Sequence, residues 1–362
     1  MPNDVPRSFV ETPNRHLAPY PAPGAILPSG GLLAADNVLL DYVRTLTDDT
    51  GMIQHGIGGI PDAATGYTTD DNVRAFLAMV RLWRRVPERR AEVEPLLRRY
   101  LQFVAWAQRK QGEHAGWFVN FFSYDRRPLD ERGTEDCLGR CLWCLGEAAS
   151  GPLPNGCALA VQTLFYRALP LTARLTAPRA IAYSLLGICR ALPNDPEMVA
   201  ALAEHLAKPY RRYSTPGWQW FEPYLTYDNA RLCEAMFRAG ETTGNEEYLR
   251  IARDTAAFLT EHSFIGDTLE PIGCRGWWYR GGVKAVFDQQ SLEAGGYAEL
   301  YRLLGDQAKE RLSLSWYTSR NRHGIPLYDP ATGGVFDALT ENGVNRNQGA
   351  ESVITLLLGL AL

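Results

Sequence analysis

Several absences narrow what this chain of 362 residues can do. Its six histidines, His16, His55, His114, His205, His262 and His323, form no close pair in sequence, and no G-x-S-x-G occurs, so serine or histidine-paired nucleophile chemistry has no signature here. The "GIGG" at 56–59 lacks the strand-then-helix context of a phosphate loop. No apolar run reaches membrane-spanning length, since the C-terminal "SVITLLLGLAL" is too short for that. The N-terminus shows no basic-then-apolar secretory pattern, so a cytoplasmic, membrane-free protein is expected. The net charge of −4 is spread over both signs, and the basic cluster "RLWRRVPERR" reads as a solvated helix face, which leaves no nucleic-acid footprint. Of the seven cysteines, Cys137, Cys141 and Cys144 fall at helical spacing; without a second Cys or His pair nearby they read as small buried residues rather than metal ligands. Reduced thiols fit the expected compartment, and neither a metal nor a cofactor is implied.

Helical pattern is abundant. Residues 1–30 are rich in proline and polar residues and read as an extended arm, while 31–362 reads as one domain. Helices are predicted near 34–47, 70–84, 90–109, 135–149, 157–170, 178–191, 197–209, 228–240, 246–262, 288–304, 306–320 and 348–361. Short extended pieces are expected near "GWFVNFFSY" and "GWWYRGGVKAVF". The helices pair: the first of each pair is amphipathic ("AEVEPLLRRYLQFVAWAQRK"), the second apolar almost all round ("AIAYSLLGICRAL"). Amphipathic helices lie outside and apolar ones inside. Six such pairs describe an all-α (α/α)6 barrel, a six-hairpin toroid, with a helical solenoid as the rival. The loops from outer to inner helix are the long ones (48–69, 110–134, 210–227, 263–287 and 321–347), so one end of the barrel carries them all and is the expected binding end.

Acids and amides begin most inner helices: Asp70, Asp71 and Asn72; Glu135 and Asp136; Asp228 and Asn229; Asp288 and Gln289; Asn345, Asn347, Gln348 and Glu351. The third inner helix begins with Pro178 and Arg179 instead. Any one cluster is explained by capping, worth about 1 kcal/mol. Gathered in one cavity, such acids repel, and some rise in pKa to become proton donors. Two carboxyls across a glycosidic bond are what its hydrolysis requires.

The segments "IPDAATGYTTDDNVRAF", "FVNFFSYDRR", "RGTEDCLGRCLWCLG", "WQWFEPYLTYDNARL", "GWWYRGGVKAVFDQQSLEA" and "PLYDPATGGVFDALTENGVNRNQGAES" resemble a bacterial six-hairpin glycosidase-like family over roughly residues 45–362. Members of that family occur alone or fused behind a GT-B glycosyltransferase. The resemblance implies the (α/α)6 fold, carbohydrate chemistry and a role in making or trimming a bacterial glycan or oligosaccharide. It also implies a possible glycosyltransferase partner, and it transfers the motif residues as site residues without fixed roles. No nucleotide-binding βαβ pattern precedes residue 45, which argues against sugar transfer by this chain alone.

Asp71 and Asp136 lead as candidate catalytic acids, followed by Asp228 and Asp288. Glu222, beside two tryptophans in a long loop, is a candidate general acid. Arg74 and Arg231, each three residues after an acid, are expected to pair with acids inside the barrel. Trp117, Trp218, Trp220, Trp277, Trp278 and Tyr279, with Tyr224 nearby, are candidate sugar-stacking residues. Asp70, Asn72, Glu135, Asn229, Gln289, Asn345, Asn347, Gln348 and Glu351 are candidate hydroxyl ligands. Arg280 and Lys284 suit a phosphate or acidic sugar, which keeps a phosphorylase or uronic-acid reading open. The expectation is an inverting glycoside hydrolase. The alternatives are a non-catalytic glycan-binding partner of a glycosyltransferase and a sugar epimerase or isomerase, for which only His55 and His323 lie in the long loops.

Overall fold

The structure, a computed structural model, describes residues 33–34 and 37–360, so the expected arm over 1–30 lies outside the described residues. The helices are α1 (Asp41–Thr45), α2 (Thr69–Arg85), α3 (Arg90–Ala107), α4 (Glu135–Ala149), α5 (Cys157–Ala168), α6 (Pro178–Ala191), α7 (Pro196–Tyr213), α8 (Ala230–Thr243), α9 (Glu246–Ser263), α10 (Ser291–Leu303), α11 (Gln307–Ser315) and α12 (Ala350–Leu360). The even-numbered helices form an inner ring in which α12 closes against α2, and the odd-numbered ones pack outside it. This is an (α/α)6 barrel.

Composition explains the sorting. Every residue of α4 from Cys137 to Ala148 is buried, as is every residue of α6 from Arg179 to Cys189. The outer α3 buries a stripe at Val93, Leu96, Leu97, Tyr100, Leu101, Val104 and Ala107, the spacing of a helix with one wet face. The inner helices α4 and α6 touch backbone to backbone. A Cβ on Gly146 would lie 2.5 Å from the Gly187 carbonyl oxygen, so this crossing requires glycine. The three helical cysteines of α4 are buried and reduced.

Four predicted helices start two or more residues late: the tenth, expected from 288, begins at Ser291, the twelfth, expected from 348, begins at Ala350, and the first and eighth have readable causes. The first was expected over 34–47 and spans only Asp41–Thr45. Before it, the Asn37 side chain accepts from the Ala34 N–H and closes a local turn, a competition with helix that Asn commonly wins. The eighth starts at Ala230 rather than at 228, because Asp228 sits at φ 48°, outside right-handed helical space.

Short antiparallel pairs pin the long loops: Tyr67–Thr68 against Phe121–Phe122, Tyr224–Leu225 against Trp278–Tyr279, and Ala338–Thr340 between Gln289–Gln290 and Gly343–Asn345. The first two pairs hold the extended pieces that the sequence indicated. No helix among the described residues is long and apolar enough to cross a membrane.

Candidate functional site

The caps decide how the acids at the inner helix starts should be read. Thr68 caps α2 by accepting from the Asp71 N–H, and Thr134 caps α4 by accepting from the Cys137 N–H. The outer helices α7, α9 and α11 use Asp195, Asn245 and Asp306 as their caps. Since threonine does the capping on α2 and α4, Asp70, Asp71 and Asp136 are free for other contacts.

Those contacts run around the whole ring. Arg140 of α4 pairs with Asp70 of α2 and donates to the Tyr183 hydroxyl of α6 at 3.2 Å. Tyr183 donates to Asp228 Oδ2 at 2.6 Å, just before α8. The Asp228 N–H donates to Glu293 Oε1 of α10 at 2.5 Å. Ser291 of α10 donates to Ser352 of α12 at 2.9 Å, and Glu351 of α12 returns to Arg74 of α2 at 3.0 Å. The first two turns of all six inner helices therefore meet at one end, the end with the long loops.

Within this ring Arg74 gathers three carboxylates at 3.0 Å each: Asp70, Asp71 and Glu351. Arg140 also lies 3.9 Å from Glu351. Burial works to raise the pKa of Asp70, but Arg140 and Arg74 outweigh it and hold the carboxylate below its usual range. Asp71 goes the other way. Burial, with Asp70 and Glu351 close by, pushes it up to about 7 against the pull of Arg74. Asp136 is also raised by burial, although Arg140 opposes the shift, and its Oδ2 accepts from the Tyr227 hydroxyl at 2.6 Å. Glu293 is pushed up to about 8 by burial and by Asp228, and its Oε2 has no hydrogen-bond partner. Exposure separates these acids. The side chains of Glu351 and Asp70 are 35% and 20% exposed, while that of Asp71 is 6% exposed. Asp136 is partly exposed, and Glu293 is buried.

Other predicted site residues are committed elsewhere. Glu135 accepts from the N–H groups of Thr176 and Ala177, which closes the start of α6. Asn72 is buried and bonds Met52 and the Thr68 carbonyl. Gln289 accepts from the Trp316 indole, and Gln348 accepts from the Gly59 N–H. Trp117, Trp218 and Trp220 are core residues with no open face, because loop and helix side chains close over them. Trp277 and Trp278 are partly exposed, with Trp277 6.3 Å from Tyr227. Arg280 bonds the Tyr213 carbonyl and Thr215, and Lys284 bonds the His262 carbonyl, so both cations tie loops together. Glu222 is an ion-pair partner of Arg179 at 2.9 Å rather than a lone acid between tryptophans. That arginine also holds Asn229 and lies over the Tyr227 ring. Tyr224 packs on Tyr279 in the paired loops. Asp288 pairs with Arg275 at 3.2 Å. Asn347 bridges His55 and Asp337, and its N–H donates to Asn345 Oδ1. His323 bonds the Thr340 carbonyl and stacks on Phe287.

Arg140, Tyr183, Tyr227, Glu293 and Asp337 belong to the ring or touch it without having been singled out in the sequence. Only Arg140 had a readable signal, since it stands four residues after Asp136 as Arg74 stands four after Asp70. Among the described residues no group of His, Cys, Asp or Glu side chains is arranged to hold a metal ion.

A second ionic network lies deeper in the barrel. Arg81 grips Glu147 through two contacts of 2.6 and 2.8 Å and reaches Glu299 at 3.0 Å. Arg231 pairs with Glu299 at 2.7 Å and Glu234 at 2.8 Å, and its guanidinium lies over Trp143. Arg81, Trp143, Glu147, Glu234 and Glu299 line a cavity of about 420 Å³.

No known family profile matches the chain, and no curated protein matches it. Solved structures of similar fold do exist. One is a sugar epimerase from a ruminal bacterium, at 11% identity and a TM-score of 0.66 over 89% of this chain and 96% of that one. A second is the cellobiose 2-epimerase of Bacillus thermoamylovorans, at 14% identity and a TM-score of 0.66 over 90% and 96%. A third is an α-1,6-mannanase of Salegentibacter, at 10% identity and a TM-score of 0.58 over 89% and 95%. At these identities the shared property is the (α/α)6 barrel.

Proposed function

We propose that the protein is a carbohydrate-active enzyme that hydrolyses a glycosidic bond in a glycan held at the loop-bearing end, with inversion. Asp136 is the general acid and Asp70 the general base. The observation that carries this reading is geometric: two partly exposed carboxyls beside Arg140, Asp70 ion-paired with Arg140 and Arg74 and Asp136 held by the Tyr227 hydroxyl, an arrangement that lowers the pKa of the first and leaves the second raised by burial. Environments that push neighbouring carboxyls apart are how acid and base roles are divided. Asp136 protonates the leaving glycosidic oxygen as the bond to the anomeric carbon breaks. A water attacks that carbon from the opposite face and gives its proton to Asp70. Tyr227 orients Asp136, while Arg74 and Arg140 keep Asp70 ionised. Glu351, the most exposed acid of the cluster, accepts from sugar hydroxyls. Asp71 sits behind them and sets the local charge.

The neighbouring structures support carbohydrate chemistry by name. They include epimerases, a D-mannose isomerase and mannanases. The Salegentibacter mannanase is an inactive variant with two aspartates replaced, in complex with mannotetrose. Epimerisation is the second reading, favoured by His55 with its Asn347 and Asp337 contacts.

The test is an oligosaccharide panel incubated with and without phosphate, followed by product analysis. New reducing ends without phosphate support hydrolysis. A sugar phosphate means phosphorolysis, an epimer means the second reading, and intact oligosaccharide recovered after tight binding means a glycan-binding module. If Asp136→Asn and Asp70→Asn both remain fully active, the assignment of roles is wrong.

A further inference from the structure

A groove of about 350 Å³ lies on the outer wall beside the loop-bearing end. It is lined by Trp106, Gln108, Arg109, Lys110, Phe122 and Arg126, among others. Two features set it apart from ordinary surface. Its floor is aromatic: Trp106 is 44% exposed and rests on Phe122 with ring centroids 4.2 Å apart, edge-on to Phe103 at 5.4 Å. The ladder continues through Tyr67 to Tyr124, itself 51% exposed and stacked on Tyr67. Beneath it Ile53, Tyr67, Phe103, Ala107, Val119 and Phe122 form a hydrophobic cluster separate from the main core, so the platform is rigidly backed. The second feature is charge. Among the described residues the lining holds three cationic side chains and no acid. Arg126 is matched by Asp49 at 2.9 Å, Arg109 donates to the Glu131 carbonyl and lies near Asp130, and Lys110 is exposed with no ion pair among the described residues.

Flat apolar rings next to cations fit a ring-shaped ligand that carries negative charge. The Gln108 side chain is already bonded to the Gly116 and Leu164 carbonyls and to Arg167, so the groove offers no amide to read a nucleobase edge. Its volume is at the small end for ligand sites, enough for one or two sugar rings. The groove is also wired to the candidate site. Phe122 pairs with Tyr67, and two residues earlier Asn120 Oδ1 accepts from the Asp70 N–H at 3.1 Å.

We propose that this groove binds an anionic pyranose, carrying a carboxylate or a phosphate, of the glycan that the candidate site processes. It names the substrate class of that site and so rests on the hydrolase reading. The indole of Trp106 stacks on the apolar face of the sugar, while Lys110 and Arg109 meet its anionic group. Such binding weakens with added salt, because the cations are at the surface.

The test is titration of the full chain, followed by NMR or calorimetry, with trigalacturonate, mannose 6-phosphate and, as neutral control, maltotriose. The expected result is salt-sensitive binding of at least one anionic ligand and at least ten-fold weaker binding of maltotriose. Trp106→Ala and Lys110→Glu should each weaken the anionic ligand at least ten-fold. Lys110→Glu touches only an exposed side chain, so its result stands even if Trp106→Ala unfolds. Equal binding of the neutral sugar, unchanged affinity in Lys110→Glu, or no binding at all overturns the proposal. Asp136→Asn should bind like the unaltered protein. Binding at the groove without turnover by the unaltered protein would therefore sink the hydrolase reading alone.

Discussion

The two ionic networks inside the barrel look alike in composition and differ in bookkeeping of charge. In the deep network each carboxylate has a guanidinium partner. There Arg231 and Arg81 overcome burial to hold Glu299 down at about 2, and Arg81 holds Glu147 down, whereas burial raises Glu234 despite Arg231. At the loop-bearing end two arginines serve Asp70, Asp71 and Glu351, Asp136 is held by a tyrosine hydroxyl with Arg140 nearby, and Glu293 faces Asp228, which pairs with Arg231 at 3.5 Å. Three acids are left with raised pKa values as a result. The lesson is that the number of charges around a cavity says little. Acids for which burial outweighs the cations beside them are the candidates for moving protons, and Asp71, Asp136 and Glu293 are such acids gathered at the loop-bearing end.

The largest effect that would sharpen this contrast is on turnover. Asp136→Asn and Asp70→Asn should each lower kcat by about 10²–10⁴-fold while the thermal midpoint hardly moves, as read by parallel rate and melting measurements. Next comes a loss confined to stability. Arg81→Met strands Glu147 and leaves Glu299 with Arg231 alone, and should cost about 3–5 kcal/mol in chemical denaturation, with the activity of the folded fraction retained. If Arg81→Met instead abolished activity without loss of stability, the division between the two networks would fail.

Their pH dependences should have opposite signs. Glu293, held protonated in the fold, contributes stability that is present at acid pH and is lost as pH rises towards about 8. Glu299, held ionised, contributes stability that is present at neutral pH and is lost as pH falls towards about 2. Glu293→Gln should therefore melt a few degrees above the unaltered protein at pH 9 and level with it at pH 4, whereas Glu299→Gln should be most damaging near neutrality. The smallest effect belongs to Glu135, a candidate site acid that closes the start of α6. Glu135→Ala should cost about 1 kcal/mol in stability and leave turnover within a few-fold.

The fold was legible because burial leaves a direct trace. The all-round apolar runs of α4, α6 and α12 and the striped pattern of α3 separate inner from outer helices in the sequence itself. The site was legible only as a neighbourhood. Asp70, Asp136 and Glu351 could be located from their places at helix starts. No local signal distinguishes them from Glu135, which is one residue from Asp136 and faces a different helix. Trp218 and Trp220 read as open platforms because their loop is rich in polar residues and proline, and their burial depends on contacts with α9 and the 278–279 strand. Glu293 is invisible for a similar reason. Its partner Asp228 lies 65 residues away and approaches only because α8 and α10 are neighbours in the ring.

Closure of the ring by α12 against α2 has a consequence for the order of events during synthesis. Arg74 and Glu351 are separated by 277 positions, so the acid cluster is completed only when the last inner helix docks. Before that moment a growing chain presents Asp70, Asp71 and Arg74 without their closing partner. Contacts this distant in sequence form late, since their loop entropy must be overcome first. Assembly of the cluster thus reports that the whole toroid has closed, and a chain interrupted before α12 would have most of its helices and an unfinished site.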